Sequence, residues 1–191
     1  KMNKESNLKI NEIFSLAIQN HKKKKIEEAK KLYHQVLKID PSHENANINL
    51  GAIFQELGQF KKAKNCYDKI IENNPNNTQA YTNLGVIFKK LLNNEKAIKC
   101  FEEAIKINSN YLDAYINLGI IFQELKEYEK SQKSYKKVIQ IDPNNIIVQN
   151  NLGLIFLEIG EFQKAKNYFE KIIELDPNYS RAYINLGTVF K

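Results

Sequence analysis

The sequence predicts an all-α protein, a solenoid of stacked antiparallel helix pairs, on three observations. A motif recurs every 34 residues, glycine and proline are scarce at seven and four in 191 residues, and apolar residues fall at helical spacing inside each copy. The tripeptide Asn-Leu-Gly begins at Asn49, Asn83, Asn117, Asn151 and Asn185, and a phenylalanine follows each of these glycines by three residues, at Phe54, Phe88, Phe122, Phe156 and Phe190. So few turn formers argue against a β-sandwich or barrel, whose many connections need them. A period of this length points instead to one supersecondary unit repeated along the chain.

The elements follow in order from that frame. Residues 1–9 are an approach to the first helix, and residues 10–43 form the first copy, with Leu16, Ala17, Ala29, Tyr33, Val36 and Pro41 at the repeat positions. Full copies occupy 44–77, 78–111, 112–145 and 146–179, and residues 180–191 are a first helix without its second. Inside a copy, Leu50, Gly51 and Phe54 share one helical face and Ala63, Tyr67 and Ile70 another, so two amphipathic helices join through a turn around Gln59. Gly51 and Ala63 are small enough for the paired helices to approach closely, which outweighs the ~1 kcal/mol cost of glycine inside a helix. Pro75 stops the second helix, because it lacks an amide proton and biases the preceding residue away from helical angles. Asn76, Asn77 and Thr78 are placed to cap the next helix. Ser109 takes the place of proline in the third copy, so a less sharply defined boundary is expected there.

One helix pair cannot cover its own apolar faces, so stacking supplies the core. The final first helix therefore leaves Leu186, Val189 and Phe190 without the helix that should cover them. Two expectations follow: the chain is cut from a longer protein, or this end pairs with another copy.

The spacing and type of these residues resemble the tetratricopeptide repeat over residues 10–191. The departures are modest: Ala17 for glycine, Ser109 for proline, Ser131 for alanine, and Tyr81, Tyr115 and Tyr183 where the family prefers tryptophan. The resemblance implies a right-handed superhelix whose first helices line a concave groove, with the second, fifth, sixth, ninth, twelfth and thirteenth repeat positions facing it. The sixth position holds the asparagine column Asn49, Asn83, Asn117, Asn151 and Asn185, with Ser15 in the first copy. A carboxamide has both a donor and an acceptor, so such a column suits the backbone of an extended peptide whatever side chains the peptide bears. Around it the resemblance places Gln55, Glu56, Lys89 and Lys90 from the second and third copies, and Gln123, Glu124 and Glu158 from the fourth and fifth. Their mixed signs imply modest, salt-sensitive selectivity.

The leading expectation is a non-catalytic scaffold that holds a partner protein or peptide in this groove. The second is the substrate-recruiting array of a larger enzyme, since the asparagine column looks like the repeats of O-linked N-acetylglucosamine transferases. The third is a basic nucleic-acid binder. The formal charge of +7 favours that third reading, but the surplus sits at one end, in ten lysines against five acids over residues 1–41, centred on Lys22, Lys23, Lys24 and Lys25. One arginine and no tryptophan are thin equipment for reading bases, so nucleic acid is disfavoured. A clamp for a chaperone's terminal carboxylate is disfavoured too. It needs lysine at the fifth position, which here reads Phe14, Ile48, Thr82, Ile116, Asn150 and Ile184.

No phosphate loop, paired-histidine zinc motif or nucleophile elbow is present in the sequence, so no catalytic residue, metal or cofactor is expected. Cys66 and Cys100 hold one repeat position on successive second helices and read as half-buried, inert thiols. His21, His34 and His43 read as solvated or capping residues. No apolar run approaches the ~18 residues of a membrane helix, and two cysteines fit a reducing compartment, cytoplasmic or nuclear.

Overall fold

The computed structural model describes residues 4–190, and among them are eleven α-helices and no strand. They are α1 (Lys4–Lys22), α2 (Ile26–Ile39), α3 (Glu44–Glu56), α4 (Phe60–Asn73), α5 (Thr78–Lys90), α6 (Asn94–Ile107), α7 (Leu112–Glu124), α8 (Tyr128–Ile141), α9 (Ile146–Glu158), α10 (Phe162–Leu175) and α11 (Ser180–Val189). The chain forms two compact units, residues 1–107 and 108–191. In the first unit α1/α2, α3/α4 and α5/α6 pack as helical hairpins, and α2 and α4 each pack on the first helix of the next pair. The second unit repeats this with α7/α8 and α9/α10, and α11 packs chiefly on α10.

Helix α1 begins inside the segment expected to lead into it. Residues 4–9 are helical, for no glycine or proline interrupts them and Glu5 in the first turn suits the positive end of the helix dipole. The first three residues and the last, which the approach segment and the final partial repeat include, lie outside the described residues.

Each hairpin closes by the same device. In the first full example, the Gly58 amide donates to the Gln55 carbonyl and the Gln59 amide to the Phe54 carbonyl, which is a Schellman ending with Gly58 at φ 68°. The same pair of bonds recurs at Lys24, Leu92, Lys126 and Gly160. Lys24, Leu92 and Lys126 therefore hold left-handed backbone at φ 58–60° despite their side chains. For an L residue other than Asn or Gly that conformation costs roughly 1–2 kcal/mol. Leu92 is in addition 90% exposed, so its side chain returns nothing by burial. Leu92→Gly should stabilise the first unit by about 1 kcal/mol, seen as a higher denaturation midpoint with an unchanged slope.

The connection between hairpins is equally regular. Asp40, Asn74, Asn108, Asp142 and Asp176 each accept, on a side-chain oxygen, the amide two residues on, at 3.0–3.3 Å. The boundary at Ser109 is accordingly as sharp as the others. Helix α6 ends at Ile107 and α7 begins at Leu112 because Asn108 makes this turn with its side chain and accepts the Tyr111 amide on its carbonyl. Asn77, His43 and Asn145 then cap the helices that follow them, accepting the amides of Ala80, Ala46 and Val148.

Inside the hairpins the small residues meet aromatic rings. A methyl built on Gly51, Gly85 or Gly153 would fall 2.8, 2.6 or 2.5 Å from the ring of Tyr67, Phe101 or Phe169, too close for any real contact. Gly119 meets Tyr135 in the same way, and the buried Ser131 hydroxyl donates to the Gly119 carbonyl at 2.7 Å. Those rings are fully buried, and Tyr67, Tyr135 and Phe169 belong to the apolar clusters of their units. At the far end, Leu186 and Val189 are half-buried against Phe156, Ala165, Phe169, Ile172 and Ala182, while Tyr183, Ile184 and Phe190 are exposed. Nothing stands within 4 Å of a methyl built on Gly187, the repeat glycine with no second helix after it.

Candidate functional site

The five asparagines of the column stand on α3, α5, α7, α9 and α11, and all five are half-buried. Glu56, Lys90, Glu124 and Glu158 follow their asparagines by seven residues, two helical turns, and so lie on the same face of each helix, exposed. Gln55, Lys89 and Gln123, one residue earlier, are half-buried. Each unit thus presents a face of carboxamides, edged by Glu56 and Lys90 in the first unit and by Glu124 and Glu158 in the second.

In the first unit this face opens into a pocket of about 460 Å³ between α1 and α3. Ile18, His21 and Lys22 line one side, Asn49 the other, and the Tyr33 ring of α2 forms the floor. The His21 and Tyr33 rings meet edge to face at 6.2 Å. The Asn49 carboxamide bears on the Tyr33 hydroxyl, whose proton is held more tightly than usual because burial outweighs that polar neighbour.

The second unit shows what the carboxamides bond. Asn151 Nδ2 donates to the Tyr135 hydroxyl at 3.1 Å, and that hydroxyl in turn lies 3.4 Å from Gln123 Oε1. Burial pushes the Tyr135 hydroxyl up to about 12. Asn185 Nδ2 donates to Asn150 Oδ1 at 2.9 Å, and Asn117 Nδ2 to the Asp113 carbonyl of its own helix at 2.8 Å. In all three the amide group donates and the carboxamide oxygen is the end left for another partner.

The expected site residues are therefore distributed over the two units, Asn49, Asn83, Gln55, Glu56, Lys89 and Lys90 in the first and the others in the second. The tyrosine hydroxyls beneath the column were missed from sequence. Their signal was present, because Tyr33 and Tyr135 precede Asn49 and Asn151 by 16 residues, whereas Phe169 holds that place before Asn185. The pocket residues Ile18, His21 and Lys22 were likewise passed over, being the ninth, twelfth and thirteenth positions of a copy whose sixth is serine.

Nothing in the thiols suits covalent chemistry. Cys66 and Cys100 are buried, and burial pushes both up to about 11, so they remain protonated near neutral pH. Among the described residues no group of three or more His, Cys, Asp or Glu side chains is placed to hold a metal ion, and no helix is long and apolar enough to cross a membrane.

Helical hairpins recurring at one period, a glycine under an aromatic ring in the four that follow the first, and one polar face per first helix define a helical-repeat scaffold. Tetratricopeptide repeat models match residues 21–84, 78–111 and 110–178, and the chain belongs to the tetratricopeptide repeat family. Among solved structures it is similar to MamA, with 27% identity and a TM-score of 0.76 over 86% of this chain and 96% of that one. It is also similar to PilF of Pseudomonas aeruginosa, with 21% identity and a TM-score of 0.84 over 98% of this chain and 86% of that one. YrrB, a TPR protein with an unusual peptide-binding site, shares 20% identity and a TM-score of 0.69 over 90% of this chain and 89% of that one. No curated protein matches the chain.

Proposed function

We propose that the chain is a non-catalytic scaffold that binds extended segments of a partner protein along the face that the first helices build in each unit. The observation that carries this reading is the half-burial of every asparagine in the column, with the amide group of Asn117, Asn151 and Asn185 already donating to other groups of the chain. These three carboxamides are thereby held in one orientation, and their oxygens are the atoms a peptide N–H would meet. Pre-orientation of this kind lowers the ordering cost of binding. The apolar Ile18 and the Tyr33 ring beside Asn49 add a place for a side chain of the bound segment.

Binding through the peptide backbone has a distinctive consequence. On an array of extended peptides of varied sequence, Asn49→Ala, Asn83→Ala and Asn151→Ala together should lower retention about tenfold or more across sequences, with helicity by circular dichroism unchanged. N-methylation of the backbone of any retained peptide should weaken it similarly. Equal retention by the triple variant and the parent protein, on a folded sample, rejects the reading.

A further inference from the structure

The first unit has a second pocket, on the side of the second helices, that the peptide face does not use. It measures about 470 Å³ and lies between α2 and α4, over the edge of α3. Its floor is apolar, made by Leu37, Leu50, Phe54 and Cys66. Its rim is basic, made by His34, Lys38, Lys62 and Lys69, and no carboxylate lines it. Lys62 Nζ stands 5.4 Å from the centre of the Phe54 ring, and no ion pair engages Lys38, Lys62 or Lys69 among the described residues. The rim acts on His34 as an uncompensated positive field would. Burial first, then Lys30, Lys38, Lys62 and Lys69, hold the His34 imidazole below its ordinary value.

The combination of basic rim and open floor is not a general property of the repeat. One period further on, the places of His34, Lys38 and Lys69 are taken by Asp68, Glu72 and Glu103, so the rim is lost there; three periods on, Lys136, Lys164 and Lys171 restore much of it, and the floor makes the difference. Three periods on, Phe156 and Lys164 reproduce the pair of Phe54 and Lys62, with the ammonium 5.5 Å from the ring centre. There, however, Tyr168 stands at the place of Cys66 and stacks on Phe156, with centroids 5.6 Å apart and planes 14° from parallel. A ring fills in the second unit the space that a thiol leaves open in the first.

We propose that this pocket binds an acidic segment of a partner protein, seating one apolar side chain on the floor while flanking carboxylates meet Lys38, Lys62 and Lys69. Charge complementarity selects the occupant, because an anion entering here meets several cations and no counter-charge in the lining. The apolar floor favours a peptide over nucleic acid, since a phosphate backbone has nothing to place on Leu37 and Leu50, and no arginine is present to pair with it in forked geometry. The proposal is independent of the peptide face, since the pocket's lining includes none of that face's residues.

The test uses a dye-labelled, end-blocked peptide of sequence Glu-Asp-Leu-Phe-Asp-Glu followed by fluorescence anisotropy. Saturable binding is expected, weakened at least tenfold by Lys38→Glu with Lys69→Glu, whose side chains are exposed and whose reversal leaves the core untouched. Cys66→Tyr, which copies the second unit, should close the pocket to the same degree, and the two lysine reversals keep the test decisive if that variant fails to fold. The His34 imidazole resonances should shift on saturation, and the triple asparagine variant should bind the peptide as the parent does. The proposal is overturned if binding is absent or survives the lysine reversals. It is equally overturned if inorganic phosphate displaces the peptide at equal concentration, or if single-stranded RNA binds through the same lysines and the peptide does not.

Discussion

Phe169→Ala is expected to lower the unfolding free energy by about 3–5 kcal/mol, the cost of emptying a fully buried aromatic site. Its partner substitution gives the sharper result. Gly153→Ala in the parent protein should cost about 1–3 kcal/mol, because the new methyl would stand 2.5 Å from the Phe169 ring and the packed hairpin must open to admit it. In the Phe169→Ala background the same change should stabilise, by up to ~1 kcal/mol, since the ring is gone and alanine is the better helix former. Chemical denaturation of the four proteins forms a double-mutant cycle. A Gly153→Ala effect of the same sign and size in both backgrounds would show that the glycine is not there for the ring. Gly187→Ala serves as a control on α11, where no neighbour stands within 4 Å and only the propensity gain remains.

Alkaline pH should unfold the protein through its buried acids. Burial raises Cys66 and Cys100 to about 11 and Tyr135 to about 12, and raises Tyr33 and Tyr67 as well. The unfolded chain releases these protons near its ordinary values of about 8.5 for thiols and about 10 for phenols. Between those values and the raised ones the folded state binds more protons than the unfolded state, so stability falls as pH rises. It is fully present below pH about 8 and is lost progressively up to about 12. At about 1.4 kcal/mol per pH unit, the two thiols and Tyr135 together account for a loss on the order of 9 kcal/mol by pH about 12. Urea titrations at pH 7 and 11 should show this as a lower midpoint, and Tyr135→Phe with both cysteines changed to Ala should flatten the dependence. A slope unaffected by those three substitutions would place the alkaline sensitivity elsewhere.

The fold was legible from sequence because the repeat is a local code. Gly153 and Phe169, or Gly51 and Tyr67, recur at fixed separations, and each such pair lies within one hairpin, so the spacing already implies the contact. The proline stops read correctly for the same reason, although Asn108 shows that the acceptor side chain before the proline can make the turn without it. The candidate face was legible only as a column of one residue type. Its chemistry depends on Tyr135 reaching Asn151 in the next copy, and on Tyr33 lying under Asn49, contacts that join neighbouring repeats and leave no mark on the asparagines themselves.

By itself, then, the sequence determined the helices, their pairing and the family, since a 34-residue period with small residues facing rings admits one local packing. Tertiary structure alone decided where strain is held and where space is left. Lys24, Leu92 and Lys126 take left-handed backbone because the angle between paired helices demands the Schellman turn whatever residue stands there. The pocket over Cys66 is open and its counterpart at Tyr168 closed because volume, unlike periodicity, is settled by which side chains meet once neighbouring repeats stack.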